Sequence, residues 1–181
     1  MPVLDRIIQR ITPAVTRVAI DGPDAAGKTT MASELAARLD RNVVRVSVDD
    51  FHNRPEVRRR QGSLSPKGYY EDTFDYDAFR ARLLEPIPAG AVLLVDGVFL
   101  LRPELRSYWD LSIYLDVRPD ETLRRALIRD FGIFGDAVRE RYTLRYLPGQ
   151  AHYRALADPL GHADIVVDNN DPESPKLVAS R

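Results

Sequence analysis

The chain has 181 residues, with 26 Lys and Arg against 27 Asp and Glu, a net charge of −1 at pH 7, and no cysteine. The length suits one domain, 1–181, with a sizeable core. The charge balance excludes a general nucleic-acid or membrane-surface binder, and the lack of cysteine excludes disulfides and thiolate metal sites.

Val3, Leu4, Ile7, Ile8 and Ile11 recur at helical spacing and predict a short amphipathic helix packed on the domain. The N-terminal segment carries no secretory pattern, and the longest apolar runs, 91–95 and 98–101, fall far short of a membrane span. A cytoplasmic protein that engages no membrane is expected.

Residues 18–20 form a short apolar strand, and residues 22–29 read Gly-Pro-Asp-Ala-Ala-Gly-Lys-Thr, a complete G-x-x-x-x-G-K-[ST] loop. Such a loop curls its backbone N–H groups around an anion, which requires glycine at both ends. Gly22, Asp24, Ala25, Ala26, Gly27 and Thr30 are expected to form the cradle. Lys28 would reach the β- and γ-phosphates, and the Thr29 hydroxyl would ligate Mg²⁺. Met31, Leu35 and Leu39 follow every four residues with Ala32 and Ala36 beside them, so a helix N-terminus sits at the phosphates. A chance match is expected on the order of 10⁻³ per chain of this length. The only lysines are Lys28, Lys67 and Lys176, so the one in the loop is not a product of lysine abundance.

Further apolar runs at 43–48, 91–95, 111–115 and 165–167 each end in aspartate. With the loop strand they predict an α/β doubly wound domain on a five-stranded parallel sheet, a P-loop NTPase. Ligands in such sheets lie beyond the carboxyl ends of the strands. Residues 53–75 are polar, with Arg58-Arg59-Arg60, and read as an insertion over the acceptor side. Tyr76, Phe79 and Leu83 mark a helix, and Pro119 opens another through Arg129. Gly132 and Gly135 then precede a helical pattern through Val138, Tyr142 and Tyr146, which predicts a movable helical lid at about 129–147. The tail, 169–181, has two prolines and few apolar residues and is expected to fray.

Asp96 ends the run Val-Leu-Leu-Val-Asp-Gly, the arrangement that holds Mg²⁺ directly or through water; the alternative is a turn cap. Asp49 and Asp50 follow the second strand, where phosphoryl transfer to an alcohol needs a group to accept the hydroxyl proton. Neighbours on an extended chain face opposite ways, and we assign both that role and a metal contact to Asp49. The alternative is a cap.

The segments G-P-D-A-A-G-K-T-T, S-V-D-D-F-H, S-P-K-G-Y-Y-E-D-T-F-D-Y-D-A-F, V-L-L-V-D-G-V-F-L-L and L-R-R-A-L-I-R-D, in this order, resemble the uridine kinase and phosphoribulokinase group of P-loop kinases. The resemblance spans roughly residues 15–168. It implies transfer of phosphate from ATP, with Mg²⁺, to a hydroxyl of a small-molecule acceptor, and no nucleic-acid partner. It implies that Asp49 is the catalytic base, that Asp72 binds acceptor hydroxyls, and that Arg125 and Arg129 face the phosphates and acceptor. The two arginines are four apart and share a helical face; a solvated charged face is the alternative.

The chain also departs from that pattern. The arginine-glycine-arginine lid signature is replaced by Phe131-Gly132-Ile133-Phe134-Gly135. His52 stands where uridine kinases carry a tyrosine, and Arg141 where they carry a glutamine that reads the pyrimidine edge. His52, Tyr70, Asp72, Arg129 and Arg141 are the candidate acceptor contacts, with Tyr69 and Tyr70 either lining the pocket or packing beneath it. Glutamine answers donors and acceptors whereas arginine only donates, so an acceptor other than uridine or cytidine is favoured. Arg54, Arg58, Arg59, Arg60 and Arg141 would suit an anionic one such as a phosphosugar, unless the 58–60 run is merely solvated. A nucleotide switch is the reading from a different class. A guanine-reading switch usually shows an Asn-Lys-x-Asp segment, and Asn169-Asn170-Asp171 lacks the lysine.

Overall fold

A computed structural model of the chain describes residues 2–181. Its strands are β1 (Arg17–Asp21), β2 (Val43–Ser47), β3 (Val92–Asp96), β4 (Leu111–Asp116), β5 (Ile165–Asp168) and β6 (Lys176–Ser180). They form one sheet in the order β2-β3-β1-β4-β5-β6. The first five are parallel, as the apolar runs predicted, and β6 adds an antiparallel edge beside β5.

That edge corrects two expectations. The sheet has six strands rather than five, and the tail does not fray over its last residues. Lys176 pairs with Asp168, and Ser180 with Ile165. Leu177 and Ala179 pack against the two apolar layers, which gives an otherwise polar segment a reason to stay down. Arg10 pins the end, donating to Ser180 Oγ at 2.8 Å.

Apolar side chains alternate strictly along the central strands. Val18, Ile20, Leu94, Ile113 and Leu115 enter one layer with Met31, Ala32 and Leu35 of α2 (Lys28–Arg38). The predicted N-terminal helix, α1 (Val3–Arg10), joins that layer through fully buried Ile7. Ala19, Leu93, Val95 and Tyr114 enter the other layer with Phe99 and Tyr153. Both sheet faces are therefore covered, as continuous apolar parallel strands require.

The polar segment 53–75 is more regular than its composition suggests. It contains α3 (Pro55–Arg58) and α4 (Pro66–Asp72). Pro66 opens α4, and the Ser65 hydroxyl caps it by accepting from Gly68 N. After α5 (Tyr76–Leu84), the remaining helices are α6 (Pro119–Arg129), α7 (Phe131–Phe134), α8 (Ala137–Arg141), α9 (Leu147–Ala157) and α10 (Pro159–His162). Tyr142–Tyr146 is a π-helical turn between α8 and α9. Ala126, Val138 and Tyr142 make a small apolar cluster of their own, apart from the sheet. Helix α9 crosses α4 at Gly149, where a Cβ would lie 2.6 Å from Tyr69 Cδ1.

The carboxyl end of the sheet is tightly packed at Gly97. A Cβ there would lie 2.1 Å from Cγ1 of buried Val48. Val48 opens the turn that carries Asp49, so this contact sets that turn against the end of β3. Gly97→Ala is expected to cost about 1–3 kcal/mol through overpacking. Urea unfolding checks this; an unchanged midpoint would show that the turn yields freely.

Candidate functional site

The loop between β1 and α2 is built by close packing and positive φ angles. A Cβ at Gly22 would lie 2.7 Å from Leu115 O. Gly27, at φ 91°, starts α2, whose first turn receives no side-chain cap. Its N–H groups therefore remain for an anion, with the helix dipole behind them. Ala25 sits at φ 55°, a strained value for a residue with a Cβ.

The loop is braced from beneath and behind. Fully buried Asp21 accepts from Gly22 N at 2.7 Å and from Leu101 N at 2.9 Å, and Tyr153 OH donates to it as well. Burial pushes its carboxyl up to about 6, against these hydrogen bonds. Arg125 Nη2 donates to Asn169 O at 2.8 Å and Asn170 O at 3.0 Å, and Asn169 Nδ2 donates to Ala26 O at 2.7 Å. Glu121 holds Arg125 Nε at 2.7 Å. Arg125 thus ties α6 to the loop and to the end of β5.

A cavity of about 600 Å³ opens over this loop and is lined by Lys28, Thr29, Asp49, Asp96, Arg125 and Arg129, among others. Lys28 Nζ donates to Pro23 O at 2.7 Å. Burial lowers its pKa, and Asp24, Asp21 and Asp49 oppose the change. Thr29 Oγ1 donates to Asp96 Oδ2 at 2.8 Å, and Arg45 Nη2 stands 3.9 Å from Asp96 Oδ1. No group of three or more metal-ligating His or acidic side chains exists among the described residues. Thr29, Asp96 and Asp49 nevertheless share this cavity, and that donor set fits Mg²⁺ arriving with phosphate and water, which needs only one or two carboxylates.

Asp49 and Asp50 both lie on the turn Val48–Phe51, and only Asp49 lines the cavity. Its carboxylate is reached by solvent yet enclosed by protein. The enclosure raises its pKa, against the pull of His52 and Lys28.

A second cavity of about 300 Å³ continues from the first. Asp24, Asp49, Val98, Arg129, Asp130 and Ile133 line both and form the junction. Asp24 turns its carboxylate into this wall, accepting from Tyr69 OH at 2.7 Å and from Gln150 Nε2. Asp130 grips Arg129, with Oδ1 accepting from Nε at 2.6 Å and Oδ2 from Nη2 at 3.0 Å, and Tyr142 OH donates to the same carboxylate at 2.7 Å. His52 lines the second cavity, its Nδ1 bonded to Asp49 O at 2.6 Å.

Three expected acceptor contacts lie outside both cavities. Tyr70 packs against Phe99, with ring centroids 5.2 Å apart, and under Arg102. Its neighbour Tyr69 takes the cavity wall instead. Asp72 is buried, with its oxygens occupied by Arg60 and by Gln61 at 2.7 Å. Burial opposes ionisation there, but those partners hold its pKa below the usual range. Arg141 stacks over the Phe134 ring at 4.6 Å.

Arg145, Thr73 and Phe74 line the second cavity without having been anticipated. Arg145 follows Tyr142 by three residues, on the inner side of the 138–142–146 stripe, which is a usable signal. Thr73 and Phe74 left none.

No family model matches the chain. It is similar to a uridine kinase from Chlamydia pneumoniae, at 25% identity over 84% of this chain and 81% of that protein. It is similar to a cytidylate kinase from Pyrobaculum islandicum, at 30% identity over 84% of this chain and 83% of that protein. Among solved structures, its fold resembles that of a possible uridine kinase from Bacillus stearothermophilus, with a TM-score of 0.71, 20% identity and coverage of 90% and 96% of the two chains. It also resembles phosphoribulokinase from Rhodobacter spheroides, with a TM-score of 0.58, 15% identity and coverage of 87% and 71%.

Proposed function

Since the chain belongs to the uridine kinase and phosphoribulokinase group of P-loop kinases, we propose that it transfers the γ-phosphate of ATP to a hydroxyl of a small molecule. The observation that carries this reading is the junction of the two cavities. Asp49 and Arg129 stand where a phosphate-binding cavity meets a pocket of acceptor size.

In this reading residues 22–30 cradle the triphosphate, and Lys28 meets its β- and γ-phosphates. Thr29, Asp96 and Asp49 hold Mg²⁺, which supplies neutralisation of phosphate charge when bound. Asp49 accepts the proton of the acceptor hydroxyl as its oxygen bonds to the γ-phosphorus and the bond to ADP breaks. Arg129, oriented by Asp130, faces the moving phosphoryl group. Arg125 keeps the loop in shape rather than touching the acceptor. Residues 1–181 form one kinase domain, with the acceptor side at 53–75 and a lid at 129–147.

ATP consumption against a panel of small alcohols tests the reading. Consumption that depends on one acceptor class supports it; acceptor-independent hydrolysis would instead favour a nucleotide switch.

The lid makes a separate prediction. Ile133 lines both cavities while 74% exposed, and Phe131 beside it is 57% exposed. These apolar groups are poised to close over bound ligands and exclude water. Hydrogen exchange at 131–135 should slow when an ATP analogue and a true acceptor bind together. Unchanged exchange under saturation would count against a lid.

A further inference from the structure

The phosphate loop carries a carboxylate that a cradle for anions does not need. Asp24 is half-buried in the loop between β1 and α2, and it lines both cavities. Its Oδ2 is held by two other helices. Tyr69 OH of α4 donates to that atom at 2.7 Å, and Gln150 Nε2 of α9 donates to it as well. Tyr69 and Gln150 are 4% and 3% exposed, so packing fixes this grip. Oδ1 takes no hydrogen bond from the described residues. It is not one of their buried orphaned atoms either, so it opens onto cavity space. A carboxylate aimed at a polyanion would repel it, and Tyr69 and Gln150 draw this one toward the wall of the second cavity instead.

Three acids line the second cavity, Asp24, Asp49 and Asp130, and only the first two have an oxygen to offer. Both oxygens of Asp130 are taken by Arg129 and Tyr142. Arg58, Arg129 and Arg145 on the same wall only donate. The charge of Asp24 already acts on Lys28 and Arg129. Its open oxygen therefore lacks a neutral donor rather than a cation. A hydroxyl that donates to a carboxylate makes one of the stronger hydrogen bonds.

We infer that Asp24 is a contact of the acceptor: its Oδ1 accepts from a second hydroxyl of that molecule while the reacting hydroxyl meets Asp49. The role that the sequence motif suggested for Asp72 then falls to a residue of the phosphate loop, so one loop orients both substrates. This rests on the kinase reading above. Asp24→Asn isolates the open oxygen. Tyr69 and Gln150 both donate, so they keep the amide carbonyl at the Oδ2 position and leave the amide nitrogen where Oδ1 was. An acceptor becomes a donor at one atom, and the size of the side chain is kept.

Calorimetric titration of the full chain, saturated with a non-hydrolysable ATP analogue, tests it with matched probes. These are uridine against 2′-deoxyuridine and 3′-deoxyuridine, and ribose 5-phosphate against 2-deoxyribose 5-phosphate. In at least one set the probe with all its hydroxyls should bind about tenfold more tightly than a deoxy partner. Asp24→Asn should bring that preference within about twofold, while its affinity for the ATP analogue does not fall. Asp24→Ala, which also removes the open oxygen, stands in if Asp24→Asn does not fold. A preference that survives the substitution overturns the inference, as does the absence of any preference in the unmodified chain. So does a fall in ATP-analogue affinity as large as the loss of probe binding, which marks a merely structural role in the loop. Binding of the analogue with no binding of any probe overturns it too, and so does loss of the preference in Asp72→Asn but not in Asp24→Asn. Failure of the unmodified chain to bind the ATP analogue would instead sink the kinase reading itself.

Discussion

Lys28→Ala is expected to abolish measurable phosphoryl transfer and to weaken ATP binding sharply. Lys28 lines the loop cavity, and the nearest groups to its charge are carboxylates and the Pro23 carbonyl rather than other lysines. No second lysine can substitute, because Lys67 and Lys176 lie in other elements, one in α4 and one in β6. Its ammonium is partly desolvated, so its attraction for phosphate is stronger than at an open surface. Turnover should fall by about 10²–10³-fold, the order seen when a preorganised donor to developing charge is removed. Calorimetric titration with ATP reads the binding part. Near-normal affinity and rate in the variant would remove the basis for placing the triphosphate in this loop. Thermal unfolding should change little, since alanine also suits the first turn of a helix.

The parts of the site that short covalent spacing determines were legible in the sequence. The loop, Asp96 at the end of β3 and Asp49 after β2 each sit where a strand ends, and five parallel strands place those ends side by side. The wall of the second cavity was less legible because it is assembled from distant segments. Tyr69 comes from α4, Arg145 from the π-helical turn, and Thr73 and Phe74 from the chain that follows α4. Tyr69 and Tyr70 illustrate the difficulty. They are adjacent aromatics on one helix, about 100° apart around its axis, so helix phase alone decides which one faces the cavity. The phase is set by Ser65 and Pro66 at the start of α4 and by the close approach of Gly149. Gly149 is the one sequence signal for that crossing, and it lies 80 residues further on in the chain.

Edge strand β6 was missed for a different reason. Its alternation covers only five residues, and its inward side chains, Leu177 and Ala179, are too few to stand out without the exposed edge of β5 to receive them. Asp72 shows a different difficulty. A family-like motif places it among the acceptor contacts, while in the fold it lies outside both cavities and its carboxylate is bonded to Arg60 and Gln61.

Asp49→Asn should lose most turnover while keeping ATP affinity. The amide preserves size and the turn Val48–Phe51 but cannot accept a proton. Asp49 lines both cavities, whereas Asp50 lines neither, so Asp50→Asn should be nearly neutral. The expected loss in kcat is on the order of 10²-fold or more, the usual scale for a positioned general base. A pH profile adds a readout that a structural role would not move. Enclosure raises the Asp49 carboxyl above its ordinary value, although His52 and Lys28 offset part of the rise. The base works only when ionised, so activity should fall as pH drops through the pKa of Asp49, which enclosure raises and bound Mg²⁺ would lower. In Asp49→Asn that acid limb should vanish from the residual rate. If Asp50→Asn is the crippled variant, or if the acid limb persists unchanged in Asp49→Asn, the proton goes elsewhere and the junction of the cavities does not carry the chemistry assigned to it.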